Sequence, residues 1–356
     1  MKNIGSFLTG AFIGLSAVIY FILYPETWSV RSVLIIAASI IVSLPLSILL
    51  HEAGHFLAGR LQGMRLLNLS VGPFVIERHE GKLHFHMTPS VLGYLGRAMM
   101  GFPEQVKKEV MRNQLVRYVY GGPLTNIIIG FLLMGIAFGL WHHPFYLIFG
   151  LVNVFLGFMN LKPVMAKSVM TDGLVIQRLR MIPVEDSVII AAYSVLAEGM
   201  RTADVKKWDA DLIEQLERLI KSEDATAKSL LPTLGYYYLP ANPEILLTIG
   251  QTLAFTREDA SYDYYADCAD ITFATSLFFN EELKDYPGIL EGLRKIGKSD
   301  AVIDSKRNAL LSYIEGDFTG AIVHLESAKD SLGKWHPLYL RGEMERKLLT
   351  SMIDRI

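Results

Sequence analysis

Cysteine is all but absent. There is one, Cys268, in 356 residues, so no disulfide can form within the chain. A lone thiol agrees with a reducing compartment for the part that carries it. An excess of basic charge is also missing: the formal net charge is −2 at pH 7, which leaves no electrostatic footprint for nucleic acid. Charge of either sign is missing from four long stretches, 5–24, 32–50, 121–141 and 144–161. Each is close to the roughly 20 residues that cross a bilayer as a helix. Backbone donors in hydrocarbon must be satisfied within their own segment, so helix is the expected form. The whole chain is 51% hydrophobic with a mean hydropathy of +0.31, high for a soluble protein. Its apolar residues concentrate in the first half and its charge in the second. That shift predicts a transmembrane domain over 1–183 and a soluble domain over 184–356. The run 5–24 is followed by YPETWSVR, with no small-residue cleavage site, and is expected to be a retained span.

Lysine and arginine orient the spans. The segment 60–120 carries Arg60, Arg65, Arg78, Lys82, Arg97, Lys107, Lys108, Arg112 and Arg117. The short connections 25–31 and 142–143 offer only Arg31. Lys2, Lys162 and Lys167 fall on the same side as the basic segment. The expected arrangement is a multi-pass protein of the cell membrane, with both termini and the segment 60–120 in the cytoplasm.

Against this apolar background, SILLHEAGHFLAGR at 47–60 stands out. Ionisable residues inside spans are costly and usually functional, and here three fall within five positions. His51 and His55 are four apart, which places both imidazoles on one helix face. Such a pair can grip one Zn²⁺ at about 2.0–2.1 Å. Glu52, rotated off that axis, can take a proton from water. If Arg60 marks the interface, His55 lies about 7–8 Å inside it, buried yet near water. A membrane histidine can also serve only as an interhelical hydrogen bonder. A catalytic zinc wants a third protein ligand. The candidate is Asp172, which follows the last span closely; its other reading is a turn aspartate in a D-G pair.

Taken together these residues resemble the site-2 protease family of intramembrane zinc metalloproteases. The signatures are His51-Glu52-Ala53-Gly54-His55 at the end of a span, GGPLTN at 121–126 opening the next, and NLKP with a later TDG, which contribute Asn126, Asn160, Pro163 and Asp172-Gly173. One spacing departs: eight residues separate Pro163 from Asp172, where many members have four. A subgroup with a cytoplasmic helical extension shares the longer spacing. The resemblance implies one zinc per chain, held by His51, His55 and Asp172, with Glu52 as general base. Asn126 or Asn160 would hydrogen-bond the developing oxyanion or the substrate backbone; Asn160 could instead brace the turn before Pro163. The substrate implied is a transmembrane helix in the lipid bilayer, unwound before cleavage. The loop 61–100 reads as a β-hairpin with its turn at HEG, followed by the glycine-rich PSVLGYLG at 89–96. In the family such an edge is thought to hold the substrate as an added strand. His84 and His86 share one face of the hairpin, as a polar strand face or a second metal site. Pro45 could kink the second span or sit in it passively.

From 184 onward the pattern is helical. AAYSVLAEG and NALLSYIEG share an alanine and, seven residues on, a glycine, Ala192/Gly199 and Ala309/Gly316. The second segment, with Ala321, Leu325 and Ala328, resembles a tetratricopeptide helix pair, and 234–246 could link pairs. A plain helical domain with core alanines is the simpler reading. The fold expected is therefore mostly α: a polytopic metalloprotease core of about four transmembrane helices with a small membrane-associated β-hairpin, then an α-helical, tetratricopeptide-like soluble domain with a surface for a cytoplasmic peptide or protein partner. The rival function is a catalytically silent membrane adaptor that binds partners through the helical domain.

Overall fold

A computed structural model of the chain describes residues 30–79, 82–87, 96–140, 143–166, 169–202, 204–222, 225–251, 264–297, 300–332 and 339–356. The expected span 5–24, the turn at 80–81 and all but the last residue of 89–96 lie outside them. The chain is mostly helical and divides into two compact units, one ending at Met100 and resuming over Arg112–Met181, the other formed by Gly101–Met111 and Ile182–Ile356.

Three helices of the first unit are long and apolar enough to cross a membrane: α1 (Val30–Leu61), α2 (Lys108–Gly139) and α3 (Pro144–Leu161). Helix α1 runs unbroken through Pro45. Between Arg31 and Arg60 its exposed side chains are apolar, among them Leu34, Ile41, Val42, Leu44 and Leu49, as suits a lipid-facing surface. Helix α2 begins thirteen residues before Gly121, so GGPLTN does not open this span as expected but sits inside it, with Pro123 in mid-helix. Membrane helices tolerate such a proline because neighbouring groups re-satisfy the freed backbone. Helices α1 and α2 meet backbone to backbone: a Cβ on Gly54 would lie 2.4 Å from the Gly121 carbonyl oxygen. Small residues at a crossing allow this approach. Ile36 of α1 packs with Ala137 of α2 and with Leu147, Ile148 and Val152 of α3.

Between α1 and α2 lies a four-stranded sheet of β1 (Arg65–Val71), β2 (Phe74–His79), β3 (Lys82–Met87) and β4 (Gly96–Gly101), in the order β3-β2-β1-β4. This is more than the expected hairpin. The stretch 66–77, read as one strand, folds back on itself at Gly72-Pro73, pairing Val71 with Phe74 and Asn68 with Glu77. Proline cannot donate to a ladder, and Gly72 has φ +56°, so the break was encoded in that dipeptide. Strands β2 and β3 pair from Phe74–Met87 to His79–Lys82. After α3, a miniature hairpin of β5 (Met165–Ala166) and β6 (Val169–Met170) leads into α4 (Asp172–Met181).

The second unit contains α5 (Val188–Arg201), α6 (Ala210–Lys221), α7 (Leu231–Tyr238), α8 (Pro243–Gly250), α9 (Tyr264–Phe279), α10 (Ile289–Lys295), α11 (Ala301–Glu315), α12 (Phe318–Leu332) and α13 (Tyr339–Ile353). Asp300 caps α11 by accepting from the Val302 and Ile303 amides. Helices α11 and α12 form a tight helical hairpin that buries Ala309, Leu310, Ala321, Leu325 and Ala328. Gly316 ends α11 in the left-handed region at φ +83°. Its expected counterpart Gly199 does not do this: α5 continues past it to Arg201, because the Thr202 amide still bonds the Glu198 carbonyl. The stretch 234–246 is the end of α7, a turn and the start of α8 rather than a plain linker.

The apolar core of this unit encloses one ion pair. Lys306 Nζ lies 2.6 Å from Glu345 Oε1, both side chains being buried, and the Tyr236 hydroxyl donates to the other carboxylate oxygen. Removing one partner strands the other charge in a low dielectric. Lys306→Met is expected to lower unfolding stability by about 3 kcal/mol, and Lys306→Met with Glu345→Leu to recover most of it. Denaturant unfolding of the detergent-solubilised chain measures both.

Candidate metal centre

The last turns of α1 carry His51, Glu52 and His55, only 8%, 6% and 6% exposed. Asp172, the first residue of α4, comes to the same point from the far side of α3. His51 Nε2 stands 3.0 Å from Asp172 Oδ2, His55 Nε2 stands 3.5 Å from it, and the two Nε2 atoms are 3.2 Å apart. Donors on one tetrahedral metal at about 2.0–2.1 Å are separated by roughly 3.3 Å. The three observed separations fit that figure. Although His51 and Asp172 are close, Oδ2 is buried without an aligned hydrogen bond. Lone pairs that converge on a common point, rather than on each other, produce this geometry. Burial by itself would raise the Asp172 pKa; the contacts with His51 and His55 outweigh it and bring it down to about 2.

The supporting contacts are specific. His55 Nδ1 lies 3.1 Å from the Tyr118 carbonyl of α2 and donates to it, which leaves Nε2 free as a ligand. The Tyr118 hydroxyl in turn donates to the Ala98 carbonyl of β4. Asp172 is set by Thr171, whose hydroxyl donates to the Lys162 carbonyl at 2.6 Å and accepts from the Val164 amide at 3.0 Å. The Thr171 amide bonds the Val164 carbonyl at 3.1 Å, and the Leu174 and Val175 amides bond the Thr171 carbonyl. The eight-residue spacing is thereby explained. The surplus residues form the β5–β6 hairpin, closed at its base by the Val164–Thr171 bond, and Asp172 is not a turn aspartate but a helix-opening one.

Residues 39–143 match the model of peptidase family M50. The chain carries an M50 peptidase region. The match spans the histidine pair and GGPLTN and stops short of Asp172, so the third donor rests on the geometry above. No curated protein and no solved structure matches the chain.

Two glycines of the M50 region make the centre possible by having no side chain. A Cβ on Gly122 would stand 2.4 Å from His55 Nε2 and 2.8 Å from His51 Nε2, in the space a metal needs. A Cβ on Gly96, where β4 begins, would stand 2.6 Å from Glu52 Oε1. The signatures GGPLTN, PSVLGYLG and TDG contain Gly122, Gly96 and Thr171 but do not announce these roles. Thr171 carries a signal, as a hydroxyl residue directly before a helix start; Tyr118, which binds His55 through its carbonyl and β4 through its hydroxyl, carries none.

The two asparagines are placed differently. Asn126 is fully buried, one turn on from Gly122, with both side-chain polar atoms unpartnered. Asn160 donates to the Leu156 carbonyl of its own helix at 3.1 Å, half-buried, and makes no hydrogen bond to the histidine–aspartate cluster. His86 lies 3.8 Å from Glu77, and among the described residues neither His84 nor His86 belongs to a metal-ligand cluster.

Two outcomes follow from this geometry. Gly122→Ala is expected to abolish stoichiometric zinc, measured by atomic absorption on the purified chain, since the added methyl meets both Nε2 atoms and His55 is held in place by Tyr118. Deleting residues 166–169 is expected to leave zinc content at the wild-type level. The Val164–Thr171 bond then becomes the closing bond of a four-residue β-turn.

Proposed function

We propose that the chain is a zinc-dependent intramembrane endopeptidase of site-2 type, acting on the transmembrane segment of a membrane protein or on a peptide remnant, as in regulated intramembrane proteolysis. The observation that carries this reading is the convergence of His51 Nε2, His55 Nε2 and Asp172 Oδ2 beside a buried carboxylate within an M50 region. Two imidazoles and one carboxylate are a donor set of catalytic zinc sites, which keep a position open. When bound, zinc supplies Lewis acidity, lowering the pKa of water and polarising a peptide carbonyl. Glu52 takes the proton of the attacking water and delivers it to the leaving amine. The unpartnered Asn126 carboxamide donates to the substrate backbone or to the oxyanion. Asn160 braces α3 before Pro163, as its bond to Leu156 supports.

Strand β4 is an edge of the sheet, and its first residue lies against Glu52. It is the better-placed edge for a substrate added as a strand, since β3 is the far one. The positive-inside pattern supports a cytoplasmic setting for both termini and the helical domain, where the α11–α12 hairpin, similar to a tetratricopeptide pair, would offer a partner surface. The enzyme reading is tested by Glu52→Gln. It is expected to reduce cleavage of a transmembrane substrate by about 10²–10⁴-fold while zinc stays stoichiometric. Retained cleavage overturns the role of Glu52; an unaltered cellular phenotype in the presence of abolished cleavage favours an adaptor.

A further inference from the structure

Helix α1 is polar on the side it buries. Its inward row is Ile36, Ser39, Ser43, Ser47, His51 and His55, and from Ser39 onward the members are four residues apart. Small polar residues are common on the packed face of a membrane helix, where each normally bonds a neighbour or its own backbone. Ser39 bonds the carbonyl one turn back, Ile35, at 2.7 Å, the usual refuge of a serine in a membrane helix. Ser43 and Ser47 do not. Both are completely buried, and neither hydroxyl has a hydrogen-bond partner among the described residues. In a span such hydroxyls are costly, since neither bonds a protein acceptor.

On the facing helix a third group is in the same condition. The Gly122 backbone abuts His51 and His55, and the Gly121 backbone abuts Gly54 and Ala58, so α2 runs antiparallel to α1 at this crossing. Asn126 lies one turn beyond Gly122 on α2, and its carboxamide is fully buried with no partner among the described residues. Two unpartnered hydroxyls thus continue the α1 row from His51 into the span, and an unpartnered carboxamide lies on α2 one turn from the centre.

Their spacing identifies what would satisfy them. Successive serines of the row are separated by about 6.0 Å along the helix axis. An extended peptide presents carbonyls on one side about every 6.6–6.8 Å. A helix hides its carbonyls in its own bonds; an unwound chain does not. We propose that Ser43 and Ser47, with Asn126 of α2, form a hydrogen-bonding row that holds the extended backbone of the substrate on the membrane side of the cut, so that unwound carbonyls exchange their helical bonds for hydroxyls. The row is covered in this structure, so a substrate must displace its cover on entry. This rests on the protease reading and deepens it: the row selects segments that can be drawn out for several residues beyond the scissile bond, and β4 receives the other side.

The test uses the full chain in lipid nanodiscs and a pool of synthetic leucine–alanine transmembrane peptides with a glycine–proline pair at varied depth. Each cleaved peptide is remade in a truncated form ending within two residues of the cut on the membrane side. Ser43→Ala with Ser47→Ala is expected to reduce kcat/KM for the full peptides about tenfold relative to the truncated ones, roughly threefold per hydroxyl. In a Glu52→Gln background the same pair is expected to weaken binding of the full peptide by a similar factor. Val42→Ala, on the lipid face, is expected to leave the ratio unchanged. An unchanged ratio in the double serine variant overturns the inference and makes the row a packing device. An equal loss on full and truncated peptides also overturns it, since that is the mark of a water path. A wild-type chain that cleaves no peptide in the pool overturns the protease reading itself, and this inference with it.

Discussion

Two imidazoles one helical turn apart and a carboxylate more than a hundred residues later point at one location inside a low-dielectric span. An arrangement of that kind suits a cation, whose charge would compensate donors that burial has desolvated. The distances of 3.0, 3.2 and 3.5 Å are near those of ligands on a common metal, and Asp172 Oδ2 is aligned with neither ring as a hydrogen bond would be. The surrounding architecture can be understood as what this point demands. Gly122 gives it room, the Gly54–Gly121 crossing brings α2 close enough for Tyr118 to orient His55, and the Thr171 hydroxyl ties the two ends of the α3–α4 connection together.

The connection from α3 to α4 shows how an insertion is absorbed without moving a ligand. A hairpin closed at its base transmits nothing of its length to the residues that flank it. Asp172 is fixed by Thr171, itself a partner in the closing bond, and by the start of α4 just beyond it. The same economy holds at β4, where Gly96 touches Glu52 and Tyr118 bridges to Ala98, so sheet and helices share one reference point.

Much of this was legible in the residues alone. The uncharged runs marked three helices that are long enough to span, and the spacing of His51 and His55 placed both on one face. The alternation over 66–87 announced strands. What escaped was of a different physical kind. The start of α2 at Lys108 was hidden because its first turns are charged, and hydropathy sees only the apolar part of a helix. The fold-back at Gly72-Pro73 was passed over because alternation continued across it. Gly199 looked equivalent to Gly316 by spacing, yet only Gly316 has the left-handed backbone that ends a helix. The contact that the Tyr118 backbone carbonyl makes with His55 leaves no mark on side-chain chemistry. The serine row was visible at spacing four, but its meaning depended on knowing that Ser43 and Ser47 are buried and unbonded.

The most direct measurement of the central claim is X-ray absorption at the zinc edge on the chain purified with its metal. The account predicts one zinc per chain with two imidazole nitrogens and carboxylate or water oxygens at about 2.0–2.1 Å, and loss of one imidazole shell in His51→Ala. A spectrum with sulfur ligation, with fewer than two imidazoles, or unchanged in His51→Ala would contradict it.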